Sequence, residues 1–281
     1  MKRMNEIKNI PFSVCMSVYK NDSASFLQQT IDSIITKQTA RPTEVVLVKD
    51  GPLTVELDTQ IDALCHVHPE IRVIALEKNQ GLGIALRTAV EAAQYELIAR
   101  MDSDDIALPD RFEKQLAFMA THPEADIVGG QIEEFITSPD AIVGKRIVPC
   151  QNEDIYTYMK RRCAMNHVTV MFRKQSILKA GNYMDWHYNE DYYLWVRMML
   201  QHMHFANIED TLVYVRVGEQ MYKRRGGYTY YKSEKGIQRY MLEHHLINLM
   251  QYINNVSIRF VVQVLLPNQI RGKLFQLFFR K

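Results

Sequence analysis

The chain has 281 residues, of which 47% are hydrophobic and 23% charged. That composition excludes a disordered chain and suits one large domain, alone or with an appendage. The formal net charge of +2 hides an asymmetry. No Asp or Glu follows Glu243, while Arg259, Arg271, Lys273, Arg280 and Lys281 do, so the C-terminal stretch is basic and apolar and suits an anionic surface.

"FSVCMSVY" (12–19) is a short apolar run of β-formers. "SASFLQQTIDSIITKQ" (23–38) has helical apolar spacing, with Ser23 or Asp22 at the cap position. "EVVLVKDG" (44–51) predicts a strand closed by a turn, followed by a helix over 54–67 and a strand, "IRVIALEKN" (71–79). "GLGIALRTAVEAA" (81–93) predicts a helix and "YELIARMD" (95–102) a strand. "PDRFEKQLAFMATH" (109–122) predicts a helix with Pro109 in its first turn. Strands and helices alternating at this pitch imply an α/β fold, a mostly parallel sheet with helices on both faces. Ligands bind such sheets beyond the carboxyl ends of the strands, and there fall Asp50, Asn79, Asp102, Asp104 and Asp105.

The second half is less regular. "HVTVMFRK" (167–174) predicts a strand, "NEDYYLWVRMMLQ" (189–201) a helix with acids in its first turn, and "TLVYVRV" (211–217) a strand. A helical pattern runs from about Tyr230 to a break at Pro267. The four cysteines form no CxxC pair and read as free thiols of a reducing compartment. The charged start "MKRMNEIKNIPF" lacks the apolar core of a signal peptide, and no uncharged apolar run reaches about 18 residues. A cytoplasmic protein is expected, one that sits on a membrane without crossing it.

Each chemical motif has two readings. "RMDSDDIALPDR" (100–111) puts three aspartates within four residues. They form either a helix N-cap cluster or a site for a hard divalent cation bridging carboxylate and diphosphate oxygens. An EF-hand is excluded by Ile106, Ala107 and Pro109, and an aspartyl-phosphate loop by Ile106. "NQGLGIALR" (79–87) starts a dinucleotide pattern at Gly81 and Gly83 that fails at Leu86, so it is a turn and helix start with room for a phosphate or ribose. Glu190 and Asp191 are either dipole-matched acids behind an Asn189 cap or a pair that holds a general base. The HxH pairs at 66–68 and 202–204 lack further ligands at zinc spacing. "YKRRGGYTYYK" (222–232) is a basic loop, read as a phosphate-clamping lid or a solvated segment. Without a recognised module, nucleic acid is not an expected partner.

The order of "SVY" (17–19), "KDG" (49–51), "NQGLGIALR", "RMDSDD", "HVTVMFR" and "NEDYYLW" resembles family 2 glycosyltransferases, inverting enzymes of the GT-A nucleotide-diphospho-sugar fold. It is most similar to bacterial members that build O-antigen, capsule or exopolysaccharide. The resemblance implies a GT-A catalytic domain over about 1–220, with a nucleotide-binding part near 11–130 and an acceptor part near 131–220. Residues 221–281 lie beyond the resemblance and read as a basic loop and a helical extension, whose apolar faces broken by Arg and Lys either lie on a membrane or pack on the catalytic domain or a second copy. The resemblance implies a donor pocket lined by Ser17, Val18 and Tyr19, with Asp50 and Asn79 at the base or ribose. Arg100 and Asp102 would hold the donor, Asp105 the sugar, and Asp104 a Mn2+ or Mg2+ ion. Asp191 would be the general base, with Glu190 and His167 near the acceptor and Arg224 and Arg225 near the diphosphate. The implied partners are a UDP-sugar and a lipid-diphosphate-linked saccharide acceptor; the tail adds the inner face of the cytoplasmic membrane or, in its other reading, a second copy in a homodimer. Lys49 stands where many members carry an acid, and Arg87 where the family's usual Asn would be. The competing readings are a non-catalytic nucleotide-sugar-binding subunit and a nucleotidyltransferase. The latter lacks its Gly-rich basic loop in "SVYKNDSAS".

Overall fold

A computed structural model describes residues 7–218 and 226–266. Its first half is built of β1 (Phe12–Val18), α1 (Ala24–Ile34), β2 (Glu44–Lys49), α2 (Val55–Val67), β3 (Ile71–Ala75), α3 (Leu82–Ala92), β4 (Leu97–Arg100), β5 (Ile106–Ala107) and α4 (Arg111–Thr121). The second half adds β6 (Ile127–Phe135), β7 (Ile142–Arg146), α5 (Asn152–Met159), β8 (Met171–Arg173), α6 (Lys174–Lys179), α7 (Glu190–Leu200) and β9 (Phe205–Arg216). Two further helices follow, α8 (Tyr228–Glu243) and α9 (Leu249–Phe260).

The nine strands form one sheet in the order β3-β2-β1-β4-β8-β6-β9-β5, with β7 on β6. The run β3-β2-β1-β4 is parallel throughout. Beyond β4 the pairing is mixed: β8 runs antiparallel to β4 and β6, whereas β9 lies parallel to β6. Successive residues of β1 and β2 enter two separate cores. Val45 and Leu47 join Leu27, Ile31 and Leu116 on one face, while Val46 and Val48 join Leu86, Val90 and Trp195 on the other. A sheet buried on both faces needs continuous apolar strands, which is why these segments read as unbroken hydrophobic runs.

Several local expectations change. The segment 167–174 is not one strand: a 3-10 turn at His167–Thr169 precedes β8. The predicted strand 211–217 is the end of β9, which begins at Phe205. Pro109 precedes the α4 N-cap, Asp110, rather than lying in the first turn, and Asp110 makes no side-chain cap bond. The aspartates of 102–105 therefore do not cap α4. Asn189 does not cap α7 with its side chain either; its Nδ2 donates to Ser233 Oγ at 3.0 Å. β5, β6, β7, α5 and α6 had no sequence-based expectation. Their segments are short, or mix buried polar residues such as Gln131 and Glu134 with apolar ones. The break at Pro267 lies outside the described residues.

Candidate functional site

The carboxyl ends of β1, β2 and β4 lie side by side because these strands are parallel neighbours. Asp50 ends β2, and its amide donates to Val18 O at 2.8 Å. Its carboxylate accepts from the backbone of Gln80 (2.7 Å) and Gly81 (3.0 Å) and from Asn79 Nδ2 (2.9 Å). Asp50 thus fastens the loop that opens α3. Gly51 permits this approach: its φ is +85°, and a Cβ there would lie 2.4 Å from the Asn79 amide. Val18 is buried, while Ser17 and Tyr19 are half-buried beside Asp50. The Tyr19 amide donates to Asp22 Oδ2 at 3.0 Å, and Ser103 Oγ donates to the same oxygen at 2.9 Å. Asp22 so joins the β1 loop to the β4 loop.

The three aspartates after β4 have different surroundings. Arg100 is buried and grips Asp102 with both terminal nitrogens, the Nη1 contact being 2.6 Å. Burial works against the Arg100 charge, but Asp102, Tyr183 and Glu190 outweigh it and hold the guanidinium firmly protonated. Asp105 is buried too, and its Oδ1 accepts from the Arg216 amide at 2.7 Å. Burial, then the charges of Asp104 and Asp102, push its carboxyl well above the usual range. Asp104 is the exposed member. Withdrawal from bulk water at its base, with Asp102 and Asp22 close by, pushes its carboxyl up to about 6. A divalent cation would relieve that repulsion, and an exposed carboxylate beside a second one suits a hard ion completed by phosphate oxygens. Among the described residues no third carboxylate or imidazole converges with Asp102 and Asp104 on one point.

His167, Glu190 and Asp191 do converge, with ligand atoms within 4.8 Å of one another. α7 begins at Glu190, and α3 packs against the preceding loop: a Cβ on Gly83 would lie 2.6 Å from Met184 O and 3.3 Å from Glu190 Cβ. His167 Nδ1 lies 3.9 Å from Asp191 Oδ2, and His167 Nε2 lies 2.8 Å from Tyr183 Oη. Burial and the Arg100 charge hold the imidazole well below its ordinary value, so it is neutral. Burial, then Asp191, pushes the Glu190 carboxyl up to about 7. Arg100 is the charge common to both clusters, since Asp102, Glu190, Tyr183 and His167 all feel it.

The model of "Glycosyl transferase family 2" matches residues 13–184. The chain belongs to glycosyl transferase family 2. It is 38% identical over 234 residues to the amylovoran biosynthesis glycosyltransferase AmsE of Erwinia amylovora, covering 83% of this chain and 85% of that one. It is 36% identical over 271 residues to an Escherichia coli protein named UDP-Gal:alpha-D-GlcNAc-diphosphoundecaprenol beta-1,3-galactosyltransferase, covering 96% of this chain and 97% of that one. Among solved structures it resembles S. aureus TarS in complex with UDP-GlcNAc, with a TM-score of 0.65 at 19% identity over 95% of this chain and 76% of the other. It also resembles the mannosyltransferase PcManGT of Pyrobaculum calidifontis, solved with GDP-Man and Mn2+, with a TM-score of 0.59 at 15% identity over 99% of this chain and 87% of the other. The family 2 chain has the GT-A fold, with the expected helical C-terminal region.

Of the residues singled out in sequence, those at the ends of β1, β2 and β4 gather at one edge of the sheet, and His167 joins Glu190 and Asp191 at another point around Arg100. Arg224 and Arg225 lie outside the described residues. Asp22, Tyr183 and Arg216 were missed as site residues. Asp22 reads in sequence only as a helix cap, because its bonds to the Tyr19 amide and to Ser103 depend on how the two loops meet. Tyr183 and Arg216 sit beside the clusters through tertiary contacts alone, for which no local pattern exists. Lys49 pairs with Asp58 at 2.5 Å.

Proposed function

We propose that this family 2 glycosyltransferase moves a hexose, galactose or glucose, from a UDP-sugar to a saccharide acceptor carried on a polyprenyl diphosphate, with inversion, in bacterial surface polysaccharide synthesis. The observation that carries the reading is the pair of acidic clusters around the buried Arg100, one with exposed Asp104 and one with Asp191 beside neutral His167. The E. coli relative's name supports the UDP-hexose donor and the lipid-diphosphate acceptor.

In this reading Ser17, Val18 and Tyr19 line the nucleotide pocket, and Asp50 with Asn79 shapes its floor. Arg100 and Asp102 hold the donor, Asp104 ligates Mn2+ or Mg2+, and Asp105 supports the sugar side by fixing the Arg216 backbone. A bound divalent ion would neutralise charge developing on the diphosphate. The acceptor oxygen attacks the anomeric carbon as the bond from that carbon to the UDP oxygen breaks. Asp191 takes the acceptor's proton, so a single carboxylate base suffices, unlike the two of a hydrolase. Glu190 and His167 flank that carboxylate, and Arg224 and Arg225 are assigned to the leaving diphosphate. The catalytic domain ends near residue 220. The extension beyond it holds the enzyme on the cytoplasmic membrane face, where a lipid-linked acceptor is found; among the described residues no helix is long and apolar enough to cross a membrane.

The deciding experiment is a UDP-release screen over sugar nucleotides with a GlcNAc-diphosphate-lipid acceptor, run with Mn2+ and with EDTA. Release of UDP from one UDP-hexose, dependent on acceptor and abolished by EDTA, is expected. UDP binding without transfer to any acceptor would favour a non-catalytic subunit instead.

A further inference from the structure

α9 is built inside out. Its only buried residue is Asn255, and the only buried residue of the π-helical turn that continues it, Val261–Leu265, is Gln263. The inward face is a polar network. Asn255 Nδ2 donates to Lys160 O (3.0 Å) and Gln238 Oε1 (2.8 Å), Arg259 Nε pairs with Glu234 at 3.1 Å, and Gln263 Nε2 donates to the same Glu234 oxygen. The outward face is largely apolar, with Asn254 and Ser257 among its exposed residues: Met250 is 80% exposed, Leu249 and Leu265 61%, and Ile253 55%, with Ile258, Phe260 and Val261 also exposed. On a helix these positions fall on one side. A scattered exposed Leu needs no explanation, but an apolar face turned outward over a buried polar one does.

We infer that this face is a docking surface for an anionic lipid bilayer, in which α9 lies along the membrane with its apolar side chains in the headgroup and acyl boundary. The inference deepens the proposed acceptor and rests on that reading for its purpose, not for its geometry. Three observations choose lipid. The rim is that of an interface: Tyr231 packs on Phe260 with ring centroids 5.4 Å apart, and exposed Tyr228 carries Lys232 Nζ 4.8 Å above its ring. The chain continues from this face into residues 267–281, which contain Arg271, Lys273, Arg280 and Lys281 and no acid. On the described side Lys232 and Lys235 stand over the Tyr228 and Tyr231 rings, and anionic headgroups complement that charge. The face is also coupled to the acceptor-side loop. Ser233 of α8 accepts from Trp186 Nε1 and Asn189 Nδ2 and donates to His187 O, so the segment leading into Glu190 and Asp191 is tied to the helices that carry the surface.

The test is cosedimentation of the full chain with vesicles of phosphatidylcholine alone and of phosphatidylcholine with phosphatidylglycerol. The wild type should bind only the vesicles with phosphatidylglycerol. The double variant Met250→Glu/Ile253→Glu should bind at least about tenfold more weakly, whereas Met250→Leu/Ile253→Leu should bind as the wild type does. Both positions are exposed, so an unchanged thermal midpoint is expected and shows that the fold is intact. Undiminished vesicle binding by the Glu variant, or a wild type that stays in the supernatant with both vesicles, overturns the inference. So does a sedimentation-velocity result in which the Glu variant converts a dimer to a monomer without changing lipid binding, since the occupant is then a second copy. Transfer to a water-soluble acceptor is measured in parallel and should be equal in all variants. If no sugar nucleotide is turned over while lipid binding still responds, the proposed function falls and the docking surface stands.

Discussion

The two acidic clusters are held by opposite means. On the donor side most carboxylates are pinned by donors: Asp50 by two backbone amides and Asn79, Asp102 by Arg100, Asp105 by the Arg216 amide. Asp104 is left at the surface of that framework. On the acceptor side Glu190 and Asp191 open a helix without a side-chain cap, packed against α3 and a neutral His167. The pins set shape, and a pin does not by itself hold a charge: the Asp105 carboxyl is pushed well above the usual range by burial despite the Arg216 amide. Carboxylates crowded in a desolvated site gain proton affinity and can exchange a proton near neutral pH. The difference is one of anchoring: in the proposed reading the donor-side carboxylates are fixed mainly by hydrogen bonds, and the acceptor-side pair is placed by packing.

The largest expected effect breaks the acceptor side. Asp191→Asn should lower turnover by about 10²- to 10⁴-fold while UDP affinity, measured by calorimetry, stays within a factor of about two. Persisting transfer would place the base elsewhere. Asp104→Ala should nearly abolish metal-stimulated turnover while leaving the thermal midpoint within a few degrees, because the side chain is exposed. Full activity in that variant would remove Asp104 from the metal.

Breaking a pinned carboxylate should instead cost stability. Asp50→Ala orphans two backbone donors, Gln80 N and Gly81 N, and leaves Asn79 Nδ2 only its bond to the Asp50 carbonyl, at a site where Asp50 is only 5% exposed. An unpaired buried donor costs about 1–3 kcal/mol, so a total of about 2–4 kcal/mol is expected in urea unfolding. A loss of activity without a loss of stability would mean that Asp50 serves the ligand more than the loop.

How much of this was legible follows the same divide. The β1, β2 and β4 strands could be read because each is buried on both faces and so spells a continuous apolar run. Their carboxyl ends could be read as the candidate site because parallel α/β sheets bind ligands there. The mixed half was harder. β6 carries buried Gln131 and Glu134, and β9 joins a buried start to an exposed middle, so neither shows a clean period. Asp104 and Asp105 are adjacent and looked alike, yet one is exposed and the other buried. That difference is decided by Arg216, 111 residues away along the chain, whose amide bonds only Asp105. The inverted polarity of α9 was equally hidden. Its amphipathic pattern was visible, but only the contacts of Asn255 and Arg259 show which face turns inward.

A milder change sharpens the acceptor side through pH. The folded Glu190 carboxyl sits at about 7, above its ordinary 4.5. A raised carboxylate gives stability that is full below about 4.5 and lost as the pH climbs through about 7. Glu190→Gln should therefore flatten the fall in thermal midpoint between pH 5 and pH 8, by an amount on the order of 1–2 kcal/mol. If the two proteins lose stability in parallel over that range, Glu190 is not the group that titrates.

The smallest effect is expected one residue away from one of the larger ones. Lys49 precedes Asp50, but its Nζ pairs with Asp58 at 2.5 Å on the outer side of β2, where Asp58 is 41% exposed. Solvent screens such a pair, and holding two long side chains in place costs entropy, so exposed pairs contribute about 0.2–1 kcal/mol. Lys49→Met keeps the apolar stem and removes only the charge. It should cost less than about 1 kcal/mol and leave the KM for the UDP-sugar within about twofold of the wild type. A tenfold rise in KM would mean that Lys49 leaves Asp58 to reach the donor. A cation that contacts the diphosphate would then stand beside Asp50, and the proposed donor side would contain one mobile charge among its fixed ones.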